Sequence, residues 1–441
     1  MIFETIESKG LAHFSYLVGS EGEAFVIDPR RDVQIYLDLA MEHGLKITHI
    51  FETHRNEDYV VGSMELSALT GATIHISGHE DLGYVYGEKI SDGEVFQIGE
   101  LSLKALHTPG HTLGHLCYAL YEKDQEAPYL VFTGDTLFMG DLGRTDFYGE
   151  ENLDKMTGLL YDSVVNKLLP LGDHVLLFPA HGAGSACGES MDDRPFSTLG
   201  YERLTNEHLQ AASKEAFIES FARMRIKPRY FERMEELNVK GAPFIGDTAS
   251  VPAIKADDLK DDQVLLDVRS KEAFMGGHIE GSYFLSPANL STFLGTLFDE
   301  KTRFVLVTDE PDPAFLLEIR SQMLRIGFDC LDGYLEGGVN SLLEAEKSPL
   351  SLPTIRGEAL RELAGEFLVL DIRDNEPVPD WLEAKTVRIP LQMLYKRYAE
   401  LDPERDIYVL CASGNRSTTA ASFLLNHGYR PAVILGGIHT I

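Results

Sequence analysis

Two histidines and one aspartate stand where predicted strands end. His54 follows the apolar run Ile47–Phe51, His111 lies in the run HTPGHT, and Asp135 follows a strand that begins at Tyr129. An acidic residue at a strand end points into a cleft, because burial among Val and Phe would be unfavourable. Two imidazoles and one carboxylate suit non-haem Fe(II) and leave open positions for O₂ and a substrate. The sequence therefore predicts a metal site made by His54, His111 and Asp135.

The loop around His111 carries its own turn signal. Pro109 fixes its backbone φ and Gly110 permits a conformation that other residues avoid, so this loop presents His111 on a tight turn. The alternative is that the three polar residues share strand-end positions by chance. That alternative is reasonable for His54 alone, but three matching positions argue against it.

Composition limits the class of protein. The 441 residues exceed what one core usually organises, and ~150 residues per domain gives about three domains. The net charge of −31 argues against nucleic acid or an anionic membrane as a partner, since both would repel this surface. We expect no signal peptide, no membrane span and a cytoplasmic location. The 4 unevenly spaced cysteines do not form a disulfide framework.

Short apolar runs alternate with loops and helical patterns over residues 1–200. The predicted strands are SYLVG, AFVID, ITHIF, TIHIS, LKALHT, LCYALY, YLVFTG and VLLFPA. Helical periodicity covers Val33–His43, Ser63–Thr70 and Leu153–Leu169. This order predicts a two-sheet αββα sandwich, followed from Ser197 to about Val239 by a helical segment. We expect one side of that segment to carry Leu204, Ala211, Phe217, Phe221 and Met224.

The rest of the chain contains an internal repeat of ~100 residues. VLLDVRS corresponds to LVLDIRD, FVLVTD to YVLCAS, LRIGFD to LLNHGYR and GYLEGGV to VILGGI. Strand–helix alternation in each copy predicts two small parallel-sheet domains. The predicted fold is therefore a multidomain α/β chain. We place its domains at residues 1–245, which include the helical segment, and at residues 250–350 and 355–441.

Three motifs in this order, TPGHT, TGD and PAH, resemble the metallo-β-lactamase fold. The run LFMGDLGRTDF directly after TGD is similar to persulfide dioxygenases of the glyoxalase II-like group. The resemblance covers about residues 1–200. It implies that iron is held by the first histidine of the fold's metal motif, the TPGH histidine and the TGD aspartate. In this chain those residues are His54, His111 and Asp135.

The first metal motif departs from the pattern of the fold. Where relatives have H-x-H-x-D-H, the chain reads HRNEDY from His54 to Tyr59. Asparagine is a poor ligand, and a tyrosine hydroxyl ligates well only when it is ionised. A dinuclear zinc hydrolase uses the full set to hold two ions. We therefore expect one Fe(II) per chain, and the departure favours an oxygenase over a hydrolase.

A second departure follows PAH, where the chain reads GAGSACG and places Cys187 close in sequence to His181. The chain resembles bacterial fusions of persulfide dioxygenase with rhodanese domains, in which the loop after PAH carries a cysteine. The resemblance implies that Cys187 accepts or positions sulfane sulfur; the alternative is a small residue in a Gly-rich turn. With its usual partners gone, His181 is expected to make hydrogen bonds in the pocket.

Other polar residues near these motifs have two interpretations each. Arg144 and Arg194 could hold the carboxylates of a glutathione-like substrate, or they could pair with acids of this acidic chain. We expect His107 at a surface strand end and His115 in a hydrogen-bonding role, neither as a ligand. Cys117, in the apolar run HLCYAL, is expected in the core.

The run IYVLCASGNRSTTAA carries the second candidate chemistry. Strand 407–410 is predicted to deliver Cys411 to a loop, with a helix starting near Arg416. Backbone N–H groups of such a loop and of the helix N-terminus stabilise an anion and favour the thiolate. Arg416 adds a fixed positive charge for sulfite or thiosulfate. A buried structural cysteine, the alternative, would not need Gly, Arg and Ser at these offsets.

The pattern C-x-x-G-x-R-[ST] resembles the rhodanese active loop. The resemblance implies that Cys411 and Arg416 are catalytic. It also implies that substrate is bound by Ala412, Ser413, Gly414, Asn415 and Ser417.

The first copy of the repeat retains the rhodanese-like frame LLDVRSKEAFMGGHIEGS but has no cysteine in the corresponding loop. That loop reads VTDEPDPAF, and its three acids would repel thiolate and sulfite. We expect this copy to be catalytically silent. Cys330, beyond Gly327, is expected in the core. The second copy has AKTVRIP in place of the GHI-GA part of the signature.

These patterns lead to one hypothesis and two alternatives. The hypothesis is a persulfide dioxygenase that oxidises glutathione or coenzyme A persulfide with O₂ to sulfite, as in sulfide detoxification. Cys411 would then exchange sulfur between sulfite and thiosulfate, and we expect a homo-oligomer. One alternative is a thioester hydrolase with zinc in the three-ligand pocket. The other is a sulfur carrier or sensor without oxygenase activity.

Overall fold

The computed structural model describes all residues except 186, 189, 195, 247–249, 342–347, 364–366 and 375. It divides the chain into two units. One unit contains residues 1–246 together with Leu324–Gly327, and the other contains residues 247–323 and 328–441. Within the described part of the chain, no helix is long and apolar enough to cross a membrane.

The first unit is built on two six-stranded sheets. Sheet 1 consists of β1 (Ile2–Ser8), β2 (His13–Ser20), β3 (Glu23–Ile27), β4 (Lys46–Phe51), β5 (Thr73–Ser77) and β6 (Glu88–Ile90), in that order. Sheet 2 consists of β7 (Val95–Ile98), β8 (Leu101–His107), β9 (Leu116–Tyr121), β10 (Leu130–Gly134), β11 (Leu176–Pro179) and β12 (Ser197–Thr198), and runs from β12 back to β7.

Six helices accompany these sheets. They are α1 (Gln34–Glu42), α2 (Ser63–Thr70), α3 (Leu153–Asp162), α4 (Leu199–Thr205), α5 (Lys214–Phe221) and α6 (Phe231–Lys240). After α3 the chain continues as a π-helical turn, Ser163–Leu168.

Alternation along the strands produces the layers. In β3, Phe25 belongs to the cluster between the two sheets, whereas Val26 packs with the residues of α1 and α2. In β10, Phe132 lies between the sheets, whereas Val131 packs with α3 and α5. Successive strand residues point to opposite faces, so each sheet buries one face against the other sheet and one against helices. The αββα sandwich predicted from the sequence is confirmed.

The second unit contains two parallel five-stranded sheets. The first copy consists of β13 (Ala253–Ile254), β14 (Gln263–Asp267), β15 (Tyr283–Phe284), β16 (Arg303–Val307) and β17 (Leu331–Leu335), ordered β13-β17-β16-β14-β15. The second copy consists of β18 (Thr354–Arg356), β19 (Leu368–Asp371), β20 (Thr386–Arg388), β21 (Asp406–Leu410) and β22 (Arg430–Leu435), ordered β18-β22-β21-β19-β20.

Helices connect the parallel strands of both copies. In the first copy they are α7 (Lys271–Gly276), α8 (Pro287–Leu297) and α9 (Pro313–Arg325). In the second they are α10 (Asp380–Glu383), α11 (Leu391–Arg397) and α12 (Asn415–Asn426). Because the strand order of the second copy repeats that of the first, the internal repeat is confirmed as two parallel-sheet domains.

The helical segment predicted after residue 197 consists of three separate helices, α4, α5 and α6. Asn206 ends α4 and Ala222 ends α5, and Pro228 prevents a helix through the residues before it. Leu204 is 77% exposed and Met224 is 50% exposed, so they do not share the buried side of Phe217. Cys330 was predicted to lie in the core, but it precedes β17 and is partly exposed.

We predict that Phe132→Ala lowers the free energy of unfolding by about 3–5 kcal/mol, because it leaves a cavity between the two sheets. Phe132 is fully buried there. Denaturant unfolding of the full chain measures the change. Leu204→Ala, at an exposed helical position, should stay within about 0.5 kcal/mol of the wild type. An equal loss of unfolding free energy in both variants would contradict the placement of Phe132 in the core between the two sheets.

Candidate metal centre and cysteine loop

Three loops at strand ends bring the predicted ligands together. His54 lies three residues after β4, His111 lies between β8 and β9, and Asp135 directly follows β10. Gly110 has φ +151°, and a Cβ there would lie 2.4 Å from the Leu160 Cα atom. The tight turn predicted for this loop therefore requires glycine for two reasons, its backbone angle and its packing.

The ligating atoms of these residues face one another. Oδ2 of Asp135 lies 4.0 Å from Nε2 of His54 and 3.6 Å from Nε2 of His111. Ligands at ~2.0–2.2 Å from a metal ion are separated by roughly 3–4 Å. All three atoms are buried and lack a hydrogen-bond partner among the described residues. Such orphaned atoms around one point fit a bound metal ion.

The opposite side of each ligand is fixed by a hydrogen bond. Nδ1 of His111 lies 2.9 Å from the carbonyl oxygen of Arg144, so Nδ1 carries a proton and Nε2 is turned towards the cluster. Nδ1 of His54 lies 2.8 Å from the Thr53 hydroxyl, which itself donates to Oδ2 of Asp28. These partners hold both rings with Nε2 towards the cluster, as supporting groups do at metal sites.

Asp135 is fixed in the same way. Its Oδ1 accepts a hydrogen bond from Nδ1 of His181 at 2.8 Å, and its backbone N–H donates to Nε2 of His115 at 2.9 Å. Burial alone would raise the pKa of the Asp135 carboxyl, but His181, His111 and His54 together lower it below the usual range. Burial lowers the pKa of His54 well below its usual value. Both residues are thus held in their metal-binding forms.

The structure adds a residue that the sequence analysis treated as a spacer. Glu57 Oε1 lies 2.9 Å from Nε2 of His111, and Glu57 Oε2 lies 3.8 Å from Nε2 of His54. These atoms and the Asp135 carboxylate lie within 4.8 Å of one another and form a four-residue cluster. The signal available in the sequence was a second acid directly before Asp58, in a loop that the fold buries.

The residues at the positions of the fold's further histidines, Asn56 and Tyr59, make hydrogen bonds to backbone carbonyl oxygens. Asn56 donates its amide to the carbonyl oxygen of His54. The Tyr59 hydroxyl donates to the carbonyl oxygen of Asp28, and its ring packs on His13 with centroids 4.0 Å apart. Burial and Asp28 raise the pKa of Tyr59 well above its usual value, so its hydroxyl stays protonated.

Cys187 and His181 lie beside the cluster, together with Asp58. Nδ1 of His181 is hydrogen bonded to Oδ1 of Asp135, and its Nε2 lies 2.8 Å from Oδ2 of Asp58. The Cys187 thiol donates to Glu57 Oε1 at 3.9 Å. Burial, Asp135, Asp58 and Glu57 raise the pKa of this thiol well above its usual range. The sequence-predicted proximity of Cys187 to the pocket is therefore present, with the thiol in its neutral form.

The sequence leaves two interpretations of Arg144 open, a substrate-binding residue and the partner of an acid, and the structure shows an acidic partner. The Nε and Nη2 atoms of Arg144 each donate at 2.7 Å to Asp146, and the side chain is buried. Arg194 is paired with Asp192 and packs over the Tyr201 ring. A chain this rich in acids satisfies its buried guanidinium groups internally.

The remaining histidines and Cys117 take the expected supporting places. His107 Nε2 contacts the carbonyl oxygen of Leu113 at 2.8 Å, and the ring is only partly buried. Nε2 of His115 accepts a hydrogen bond from the Asp135 backbone N–H, and Nδ1 contacts the Thr108 hydroxyl, so both ring nitrogens are engaged outside the cluster. Cys117 is fully buried, and burial raises the pKa of its thiol to about 12.

In the second unit, β21 ends at Leu410 and delivers Cys411 to a loop before α12, as predicted. The Gly414 N–H donates to Cys411 Sγ at 3.0 Å, so the loop folds back on the sulfur atom. Gly414 has φ +95°. Ser417 Oγ is buried without a hydrogen-bond partner among the described residues. Arg416 makes no hydrogen bond or ion pair within that part of the chain, so its guanidinium group is available to an anion.

The neighbouring copy reaches this loop. Lys271 Nζ, at the start of α7, donates to the carbonyl oxygen of Ser413 at 3.0 Å. Asn415 Nδ2 donates to Ser286 Oγ, also at 3.0 Å. Sequence analysis missed both contacts, because they join two copies of the repeat through positions more than a hundred residues apart. The first copy thus contributes a positive charge beside the loop of the second.

Two family models match the chain. The Metallo-beta-lactamase superfamily matches residues 9–181, and the Rhodanese-like domain matches residues 252–345 and again residues 358–440. The first match contains the metal centre, and the last contains the cysteine loop.

Individual relatives cover different shares of the chain. A hydroxyacylglutathione hydrolase of Polaromonas sp. is 34% identical over 187 residues, which are 41% of this chain and 66% of that protein. The hydroxyacylglutathione hydrolase GloC of Haemophilus influenzae is 29% identical over 202 residues, 41% of this chain and 91% of that protein. A solved structure described as a metallo-beta-lactamase from Staphylococcus aureus is 30% identical with a TM-score of 0.68, and the match covers 76% of this chain and 98% of that one.

We predict that Thr53→Val weakens metal binding by about 10–100-fold, because it removes the hydroxyl that holds Nδ1 of His54. Competition with a chelator measures the affinity. Thr48→Val is a matched control, since Thr48 contacts Nδ1 of His49 in the same way at 2.9 Å, away from the cluster. An equal loss in both variants would contradict the supporting role of Thr53.

Proposed function

The chain belongs to the metallo-beta-lactamase superfamily and carries two rhodanese-like domains, and on this basis we propose that it is an iron-dependent persulfide dioxygenase with sulfurtransferase activity. Its substrate is a low-molecular-weight persulfide, such as that of glutathione or coenzyme A. The observation that carries the proposal is the buried set of His54, His111 and Asp135, whose facing atoms lack hydrogen-bond partners among the described residues. Beside it lies a second group of possible ligands, Asp58, His181 and Cys187, in which Asn56 and Tyr59 stand at positions where the fold has further histidines.

Both reactions balance without a further oxidant. Persulfide, O₂ and water give the thiol, sulfite and two protons: the terminal sulfur is oxidised, O₂ is reduced, and the sulfur–sulfur bond breaks. The Cys411 thiolate takes the outer sulfur of a second persulfide, whose sulfur–sulfur bond breaks and whose thiol leaves. Sulfite then attacks that outer sulfur, so that thiosulfate forms, the sulfur–sulfur bond to Cys411 breaks and the Cys411 thiolate is restored. The reverse reaction would load Cys411 from thiosulfate.

The residues of the metal centre have separate tasks in this proposal. Bound iron supplies the one-electron chemistry that O₂ needs. His54, His111 and Asp135 would hold the ion, while Thr53 and the Arg144 carbonyl oxygen orient the two imidazoles. Burial of all three ligands excludes bulk water from the reacting atoms.

The cysteine loop has the parts that a sulfur-transfer site needs. The Gly414 N–H stabilises negative charge on Cys411 Sγ, and α12 begins directly after it with its N-terminal dipole towards the loop. Arg416 and Lys271 supply positive charge for an anionic sulfur donor or acceptor. In the first copy the corresponding strand ends at Val307 and is followed by Thr308 and two acids, so no nucleophile is present there.

A zinc thioester hydrolase is the second candidate, because two relatives named above are hydroxyacylglutathione hydrolases. Both candidates use the same three ligands but differ in metal and in oxygen use. The altered motif HRNEDY favours the dioxygenase, since a bridging hydroxide between two ions would need ligands that Asn56 and Tyr59 do not provide.

We predict that the chain, loaded anaerobically with Fe(II), consumes O₂ when glutathione persulfide is added, and that His111→Ala abolishes this uptake. An oxygen electrode and mass spectrometry of the products measure it. His107→Ala is the control, because His107 lies four residues before His111 and its Nε2 is hydrogen bonded to the Leu113 carbonyl oxygen. Bound zinc with thioester hydrolysis and no oxygen uptake would overturn the proposal.

We predict that Cys411→Ser changes the product from thiosulfate to sulfite while oxygen uptake continues. Serine keeps the shape of the loop but cannot carry sulfane sulfur. The matched variant Cys330→Ser, in the first copy, should leave the product as thiosulfate. If His111→Ala retains full thiosulfate formation from persulfide and O₂, the chain is a sulfur carrier and not an oxygenase.

We predict that Lys271→Met lowers kcat/KM for thiosulfate by roughly fivefold, the equivalent of about 1 kcal/mol, because the hydrogen bond to the Ser413 carbonyl oxygen and the charge beside it are lost. A sulfur-transfer assay with thiosulfate and cyanide measures the change. Lys301→Met, at an exposed site of the same copy, is the control. Identical rates for both variants would show that the first copy does not contribute to the loop.

A further inference from the structure

We propose that Glu57 is a fourth protein ligand of the metal ion, which gives the centre two imidazoles and two carboxylates. The inference rests on the metal centre proposed above but holds for iron or zinc. It replaces the three-ligand set indicated by the sequence and leaves two positions on an octahedral ion instead of three.

The distances place Glu57 in the shell of the ion. Its oxygens lie 2.9 Å from Nε2 of His111 and 3.8 Å from Nε2 of His54. Asp135 Oδ2 lies 3.6 Å and 4.0 Å from the same two nitrogens. The two carboxylates therefore face the same pair of imidazoles at comparable distances. Both ranges match the separation of roughly 3–4 Å between ligands that share one ion.

Glu57 and His111 are in direct contact inside the cluster. Nδ1 of His111 donates to the Arg144 carbonyl oxygen, which turns Nε2 towards Glu57 Oε1 at 2.9 Å. A proton accounts for this contact in the metal-free chain, and a bound metal ion would take the place of that proton. Glu57 Oε2 faces Nε2 of His54 at 3.8 Å and has no hydrogen-bond partner among the described residues.

The charge of the pocket leads to the same conclusion. Glu57, Asp58 and Asp135 are all buried, and Glu57 Oε2 has no hydrogen-bond partner within the described part of the chain. Buried carboxylates need paired positive charge or a metal. His181 is the partner of Asp58 and Asp135, and the nearby Arg144 is committed to Asp146. A divalent cation held by Glu57 and Asp135 would supply positive charge beside Glu57.

A fourth ligand has a consequence for the substrate. Two carboxylates neutralise a divalent ion, so the centre attracts an anionic persulfide less strongly than a centre with one carboxylate would. Two open positions admit one sulfur atom and one small molecule, which restricts the centre to substrates that bind through a single atom. The Cys187 thiol, 3.9 Å from Glu57 Oε1, limits how far this carboxylate can move away.

Metal affinity of Glu57→Gln tests the inference without relying on catalysis. The amide keeps the shape but not the charge, so we expect the affinity for Fe(II) and Co(II) to fall by more than about 100-fold, beyond the usual effect of a supporting residue. Competition with a chelator measures affinity, and the visible spectrum of bound Co(II) reports the change in ligand number. An affinity within about threefold of the wild type, with an unchanged spectrum, overturns the inference.

Glu52→Gln is the matched control. Glu52 is buried in the same loop, and its carboxylate oxygens accept hydrogen bonds from the Tyr86 hydroxyl. Glutamine keeps an oxygen atom that can accept this hydrogen bond, so metal affinity should not change. A loss as large as that of Glu57→Gln would assign the effect to the loop and overturn the inference.

The melting temperature provides a second measurement, which can be made even when a variant binds little metal. Removing a buried charge should raise the melting temperature of the metal-free Glu57→Gln protein and shrink the increase caused by metal. Glu57→Asp keeps the charge but shortens its reach, so it should also shrink that increase. If the wild-type chain binds zinc tightly and consumes no O₂, the proposed function fails while the role of Glu57 stands. A metal-induced increase that is equal in all three proteins overturns the inference.

Discussion

The geometry of the candidate metal centre depends on how the Asp135 carboxylate is held. One oxygen is held by His181, the backbone N–H is held by His115, and the other oxygen is left to face His54 and His111. A buried anion can be kept in this place only because each of its neighbours has a fixed orientation. The loops on both sheets are therefore constrained by hydrogen bonds on the sides of the residues that face away from the cluster. The sandwich beneath them fixes the distance between these loops.

In the rhodanese-like copies, too, a loop at a strand end is held in place by the sheet beneath it. A parallel strand ends beneath a loop, and a glycine just after the last strand of the copy lets the backbone pass close to that loop. A Cβ on Gly437 would lie 2.2 Å from the Cys411 carbonyl oxygen, and one on Gly338 would lie 2.5 Å from that of Thr308. The first copy thus has the same loop scaffold without a cysteine. Its Lys271 contacts the loop of the other copy.

Local patterns left two features of the first unit undecided. The sequence allowed Arg144 either to bind substrate or to pair with an acid, and in the structure its guanidinium group is hydrogen bonded to Asp146. Leu204 was expected on the same side of the helical segment as Phe217, but α4 ends at Asn206 and α5 ends at Ala222, so the two helices turn independently and Leu204 is exposed. Where helices end and how they turn depends on packing that a short window of sequence does not contain.

The sequence by itself determined the layers, the repeat, and the strand-end positions of His54, His111, Asp135 and Cys411, because hydrophobic periodicity and turn residues act over short distances. Only the tertiary structure decided which further groups face these positions. Glu57 occupies a spacer position in a motif and becomes part of the cluster when three distant loops converge. The orientation of each buried polar atom is a property of all its neighbours at once, so it emerges only when the chain is folded.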